Sequence, residues 1–364
     1  VSIPANPPHV VPAIGQALGR VPAHRLEPMV GQASARAYWR LHLEDAEPAT
    51  LVVMALPPGP VASDEGGGGD APAELPFLSV GRLLAERGVR VPRVYADDPE
   101  HGVVLLEDLG DETFEARLLA QPERTSQLYE QAVDTLAALH AACEDLPEGA
   151  APTTKRFDEA LFRWELDHFR EWGLEEIHGA LSEGQRARFD GSVDALAMQL
   201  AAAATGFVHR DYQSRNLMWK ADELVVIDFQ DALQGPRPYD LVALLCDSYV
   251  DLPVGLQDAM IVRYCVARGF DARATELFRT TFWRQAVQRK LKDAGRFVYI
   301  DRVRGNASFL PSYAPSLRYV GRALGKLGSE LAELGSLLEA KIPGFPDEVA
   351  QPPAATGSAP DRAF

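Results

Sequence analysis

Cysteine is sparse: Cys143, Cys246 and Cys265 are the only three in 364 residues. An odd number at wide spacing excludes a disulfide framework and the close pairs of a zinc site, so they read as reduced core thiols. No uninterrupted apolar run reaches eighteen residues; the nearest approach, residues 195–208, is broken by Gln199 and Thr205. A membrane-spanning helix is therefore not expected. The first twenty residues show no basic start followed by a long apolar stretch, so no export signal is read there and the cytoplasm is the expected location. Positive charge is short too, with 36 Lys plus Arg against 52 Asp plus Glu and a formal net charge of -16. That balance disfavours nucleic acid as a partner. Lysine is missing altogether between Val1 and Gly110.

What is present suits a sizeable folded protein, since 46% apolar and 24% charged residues are ordinary for a chain that buries a core, and this length suggests two lobes. Near the front, "ARAYWRLHL" (35–43) and "TLVVMALPPG" (50–59) read as a hairpin around the acidic turn "EDAEP". Gly66–Gly69 form a run of four glycines with no G-K-[ST] after it, hence a flexible linker rather than a phosphate cradle. A helix is predicted over 75–89 and a buried strand at "GVVLLEDL". Beyond Gly110 long amphipathic helices take over, at 124–143, 158–174, about 183–204, 280–297 and 316–341, interrupted by a short strand at 224–229. The expected fold is α+β and two-lobed, with a β-rich lobe over 1–106, a hinge at 107–111, a helical lobe over 112–345 and a disordered tail at 346–364.

The stretch "FVHRDYQSRNLMW" (207–219) sets Asp211 five residues before Asn216, and Asp228 follows twelve residues later in "VVIDFQ". Phosphoryl transfer needs a carboxylate near the attacking hydroxyl, plus a carboxylate and a neutral oxygen to hold Mg2+ on the triphosphate of ATP. Asp211 suits the first role, and Asn216 and Asp228 the second. Either motif alone could be a polar turn or the end of a strand; the pair, in this order, argues for chemistry.

H-x-D-x-x-x-x-N followed by "IDFQDA" resembles the aminoglycoside phosphotransferase branch of the protein-kinase-like fold, over roughly residues 20–340. The resemblance implies that His209 orders the loop, that Asp240 is buried as a brace under it, and that backbone groups of Glu107 and Leu109 hold adenine. Arg215, next to Asn216, could touch phosphate or sugar or else be solvated, and Asp231 is a further candidate substrate contact. Gln230 stands where protein kinases have Gly. The strand expected to carry a phosphate-binding Lys offers Met54 instead, so phosphate charge would fall to Mg2+, to backbone N–H groups around Gly31 and Ser34, or to Arg36.

Met54 in that place, with "RDYQSRNLM", "QRKLKDAGRF" and "YAPSLRYVGRAL", is similar to bacterial cell-wall sugar kinases that act on the anomeric hydroxyl of N-acetylmuramate and N-acetylglucosamine. Residues 285, 289 and 292 share a helix face, so Arg289 or Lys292 could meet the lactyl carboxylate, and Tyr239 could stack on the sugar ring. A monomer using ATP and a small amino sugar is the expectation. An aminoglycoside or other small-alcohol kinase is the alternative within enzymes, and a regulatory pseudokinase the alternative outside them.

Overall fold

The computed structural model describes residues 7–29, 36–56 and 74–355. The glycine run 66–69, Gly31 and Ser34 lie outside the described residues, as does the tail from 356 onward. The chain divides into two compact units, Val1–Glu112 with Met218–Asp231, and Thr113–Leu217 with Ala232–Phe364. The first unit therefore takes in a later segment that the sequence reading had assigned to the helical lobe.

The first unit opens with α1 (Val11–Leu18), whose Ala13 and Ile14 are fully buried. A five-stranded antiparallel sheet follows, ordered β1 (His24–Pro28), β2 (Ala37–Leu43), β3 (Thr50–Ala55), β5 (Val103–Glu107) and β4 (Val94–Asp98). Alternation along β2 puts Trp39, Leu41 and Leu43 on the side of α1. Interior strand β5, between β3 and β4, is buried at Val103 through Leu106, in keeping with its continuous apolar run. Helix α2 (Pro76–Glu86) starts at a proline and buries Phe77, Leu78, Val80, Gly81 and Leu84 at helical spacing. The sequence showed the hairpin, α2 and β5, but not α1, β1 or β4.

The second unit is mostly helical. It holds α3 (Phe114–Ala120), α4 (Thr125–Ala142), α5 (Glu159–His168), α6 (Glu176–His178) and α7 (Glu183–Ala201). Strand β6 (Thr205–Val208) leads into the loop that ends at Leu217; the paired strands β7 (Leu217–Lys220) and β8 (Glu223–Val226) that follow fall almost wholly in the first unit. Strand β9 (Leu233–Pro236) pairs antiparallel with β6, and α8 (Tyr239–Leu245), α9 (Val254–Ala267), α10 (Ala272–Arg304), α11 (Tyr313–Leu327) and α12 (Ala332–Lys341) complete the unit.

Three departures from the sequence reading have local causes. The predicted helix 158–174 turns π-helical at Phe169–Glu175, where Gly173 faces Gly295 of α10 at backbone distance. The predicted helix 316–341 is two helices, because Gly328 takes φ 63° and closes α11. The start of the expected disordered tail is held against α10: Ala355 N donates to Asp301 and Arg302 donates to the Pro353 carbonyl.

Candidate active site

The loop after β6 is shaped by a backbone outlier. Arg210 sits at φ 83°, a conformation that costs a non-glycine residue about 1–3 kcal/mol unless its surroundings enforce it. They do so from two directions. Asp240, fully buried on α8, accepts the N–H of His209 at 2.7 Å through one oxygen and that of Arg210 at 2.9 Å through the other. Arg289 of α10 donates to the Arg210 carbonyl at 2.7 Å. Burial alone would raise the Asp240 carboxyl, but the His140 hydrogen bond at 3.0 Å and the charge of His140 and His209 bring it below its usual range. Asp240 does not cap α8, whose first turn has no side-chain cap.

His209 is buried, and its Nδ1 accepts the Asp211 N–H at 3.2 Å, which leaves the imidazole proton for Nε2 when the ring is neutral. The twist at Arg210 turns the chain outward, so that the Asp211 side chain is 42% exposed next to two buried residues. Arg289 also reaches this carboxylate, at 3.1 Å. Asn216 donates its amide to the Asp211 carbonyl at 2.9 Å, closing the five-residue loop. Below it, buried Asp247 accepts from both the N–H and the hydroxyl of Ser214 and from the N–H of Tyr249. Asp247 and Tyr249 carried no signal in the sequence beyond their place in an apolar run.

This packing bears on three of the expected substrate contacts. Tyr239 is fully buried, with Phe157 stacked on one side at 4.7 Å and the Arg289 guanidinium 4.9 Å from its ring, so it offers no face to a sugar. Arg289, 1% exposed, is committed to Asp211 and the Arg210 carbonyl rather than to a ligand carboxylate. Arg215 makes a two-point pair with Glu115 of α3 at 2.8 and 3.0 Å and lies 3.5 Å over the Tyr249 ring. Lys292 is half-buried, close enough for its charge to act on Asp293 and Tyr239.

In the first unit, Asp228 is exposed and also at positive φ, 66°. The next residue, Phe229, is buried and stacks on Phe77 of α2 at 5.1 Å, while Gly81 leaves room for its ring. A Cβ at Gly81 would come within 3.1 Å of Phe229. This anchor explains why the Asp228 backbone is pinned. Gln230 donates to Asp228 at 2.7 Å and to half-buried Asp231 at 3.4 Å. Burial raises the Tyr38 hydroxyl; Arg36, hydrogen-bonded to it, lowers it, and the Asp228 carboxylate raises it further. Arg36, Tyr38 and Asp228 thus share one neighbourhood, while Met54 is fully buried in β3 and supplies no charge.

Residues 107–111 carry an electrostatic frame that the sequence did not reveal. Glu107 takes two hydrogen bonds from Arg90, at 2.8 and 2.6 Å, and Asp108 takes two from Arg40. Lys220 donates to the Asp108 carbonyl at 2.8 Å. The Glu107 N–H is already engaged with the Arg93 carbonyl. Beside this frame Leu109, Met218, Val225 and Ile227 pack as a small apolar cluster.

Asp211 and Asn216 fall in the second unit and Asp228 in the first. A carboxylate and an amide oxygen are the donor types of a hard cation. Among the described residues no cluster of three or more His, Cys, Asp or Glu could hold a metal. Donors of these types suit Mg2+ where phosphate oxygens and water supply most of its ligands. Nor, among the described residues, is any helix long and apolar enough to cross a membrane.

An antiparallel five-stranded sheet, a mainly helical unit and a braced loop presenting one exposed carboxylate define a protein-kinase-like phosphotransferase. The chain belongs to the phosphotransferase enzyme family, which it matches over residues 25–278. It is 35% identical to the N-acetylmuramate/N-acetylglucosamine kinase of Pseudomonas aeruginosa, over 89% of this chain and 91% of that one. The enzyme of the same name from Neisseria meningitidis is 33% identical over 84% and 87%. Among solved structures, a choline kinase of Cryptosporidium parvum superposes with a TM-score of 0.57 at 10% identity, covering 87% and 94% of the two chains. An ADP-bound aminoglycoside phosphotransferase gives 0.52 at 12%, covering 82% and 94%. At such identities these two likenesses are of fold alone.

Proposed function

We propose that the protein transfers the γ-phosphate of ATP to the anomeric hydroxyl of N-acetylmuramate and N-acetylglucosamine, giving the α-1-phosphate for cytoplasmic reuse of peptidoglycan sugars. The observation that carries the chemistry is Asp211, held outward by an Arg210 backbone clamped between Asp240 and Arg289. The names of relatives that align over about nine-tenths of their length support the choice of sugar.

In this reading Asp211 accepts a hydrogen bond from the anomeric hydroxyl and takes its proton as the oxygen bonds to phosphorus and the bond to ADP breaks. Asn216 and Asp228 would hold Mg2+, which when bound offsets charge on the phosphates. Arg36, beside Asp228, supplies the positive charge that Met54 does not, and the platform of Leu109, Met218, Val225 and Ile227 receives the adenine.

The test is a panel of N-acetylmuramate, N-acetylglucosamine and aminoglycosides with ATP, read by phosphorus NMR. An anomeric phosphate on the amino sugars is expected. Turnover of aminoglycosides alone would overturn the sugar assignment, and nucleotide binding with no acceptor phosphorylated would make the protein a pseudokinase.

A further inference from the structure

The segment "YAPSLRYVGRAL" forms most of α11, and one of its faces lines a cavity. Pro315, Arg318, Tyr319 and Arg322 stand at i, i+3, i+4 and i+7. Opposite them lies the turn Ser248–Asp251, and the space between measures about 210 Å3. Pockets for drug-sized ligands span ~300–1,000 Å3. This one therefore suits part of a monosaccharide better than a nucleotide.

Its walls are fixed by hydrogen bonds. The Tyr319 hydroxyl donates to the Val250 carbonyl at 2.9 Å and accepts the Leu252 N–H at 3.2 Å. Ser248 and Ser316 hydroxyls meet at 2.8 Å, with buried Lys290 donating to Ser248 behind them. Arg322 donates to the Leu252 carbonyl at 3.0 Å, and the exposed Asp251 carboxylate is 3.8 Å away. Arg318 is half-buried, and among the described residues it has no hydrogen-bond or ion-pair partner. Two guanidinium groups and one carboxylate line the space, a net positive charge with one cation left uncommitted.

The cavity adjoins the catalytic loop through Tyr249. Its ring lies 3.5 Å below the Arg215 guanidinium, next in sequence to Asn216, and its N–H shares Asp247 with Ser214. Burial raises the Tyr249 hydroxyl, and among the carboxylates that add to this is Asp211, so the base lies within electrostatic range of the cavity wall.

We propose that this cavity is an anion subsite of the acceptor site, in which Arg318, seconded by Arg322, binds the carboxylate of an acidic amino sugar such as the lactyl group of N-acetylmuramate. The assignment rests on the sugar-kinase reading above. It replaces Arg289, whose guanidinium is spent on Asp211. Tyr319 and Pro315 supply the apolar walls that a lactyl methyl group needs.

Steady-state kinetics of the full chain and of Arg318→Gln, with both sugars at saturating ATP, test it. The ratio of kcat/KM for N-acetylmuramate to that for N-acetylglucosamine should fall at least about tenfold, mainly through KM, and Arg318→Lys should recover part of it. Activity on N-acetylglucosamine reports that the variant is folded. An unchanged ratio overturns the subsite while leaving the kinase reading intact. A raised KM for ATP would make Arg318 a phosphate contact and overturn it equally. Full-length protein that phosphorylates neither sugar overturns the kinase reading, and the subsite with it.

Discussion

At the scale of single residues, the pair Arg289 and Asp211 decides how the proposed base is presented. Two guanidinium nitrogens hold two acceptors at once, the Arg210 carbonyl and the Asp211 carboxylate. Lysine keeps the charge but not the fork. Arg289→Lys should therefore lower kcat at least about tenfold while the KM for either substrate changes little, since the residue acts through Asp211 rather than on the ligand. A selective rise in the KM for N-acetylmuramate would instead restore it as a sugar contact. Asp211, Asn216 and Asp228 could be proposed from the sequence because phosphoryl transfer imposes a spacing on residues of these types. Arg289 was legible only as a member of a helix face; that the face points inward is set by the π-helical segment and α8, which lie far away in sequence. Arg318 gave no sign of its own, because an arginine on an amphipathic helix is ordinarily solvated.

At the scale of elements, α10 is a 33-residue helix buried along most of its length, carrying Arg289, Lys290 and Asp293. Its depth is fixed where Gly295 meets the π-helical segment. A Cβ there would stand 2.7 Å from Phe169 Cα and 3.1 Å from the His168 carbonyl, both backbone atoms that cannot step aside. Gly295→Ala should cost about 1–3 kcal/mol, measured as a lowered urea midpoint, and should reduce kcat by shifting Arg289. Wild-type stability would show that the two helices separate easily. Long helices such as α4 and α7 were readable from periodicity within a few residues. The π-helical turn, the break at Gly328 and strands β1, β4 and β9 were not, because each is decided by a partner rather than by its own residues.

At the scale of the whole molecule, the second unit is organised around buried ionic groups. Burial alone would raise the Asp293 carboxyl, but Lys290, Arg289 and Lys292 outweigh it and hold it near 2, against an ordinary 3.8. A carboxylate depressed on folding contributes stability that is complete above the ordinary value and is lost as pH falls towards 2; for this group about 2 kcal/mol is at stake. Asp240 is shifted in the same direction. Unfolding free energy should thus hold steady down to about pH 5 and drop steeply below about 4. Urea titrations across that range check this, and Asp293→Asn should be less stable at neutral pH with a shallower acid limb. A parallel slope in the variant would place the acid sensitivity elsewhere. The two-lobed architecture was legible from the change of periodicity near Gly110, whereas the return of Met218–Asp231 to the first unit depends on β7, β8 and Phe229 finding their places in three dimensions.

The burial of Met54, in a chain whose first lysine is Lys155, has a practical corollary. Chemical probes that inventory nucleotide-using enzymes by acylating an amine beside the bound phosphates would find none on this sheet. Any labelling of this chain by that chemistry would have to fall on lysines off the sheet, such as Lys220 or Lys292.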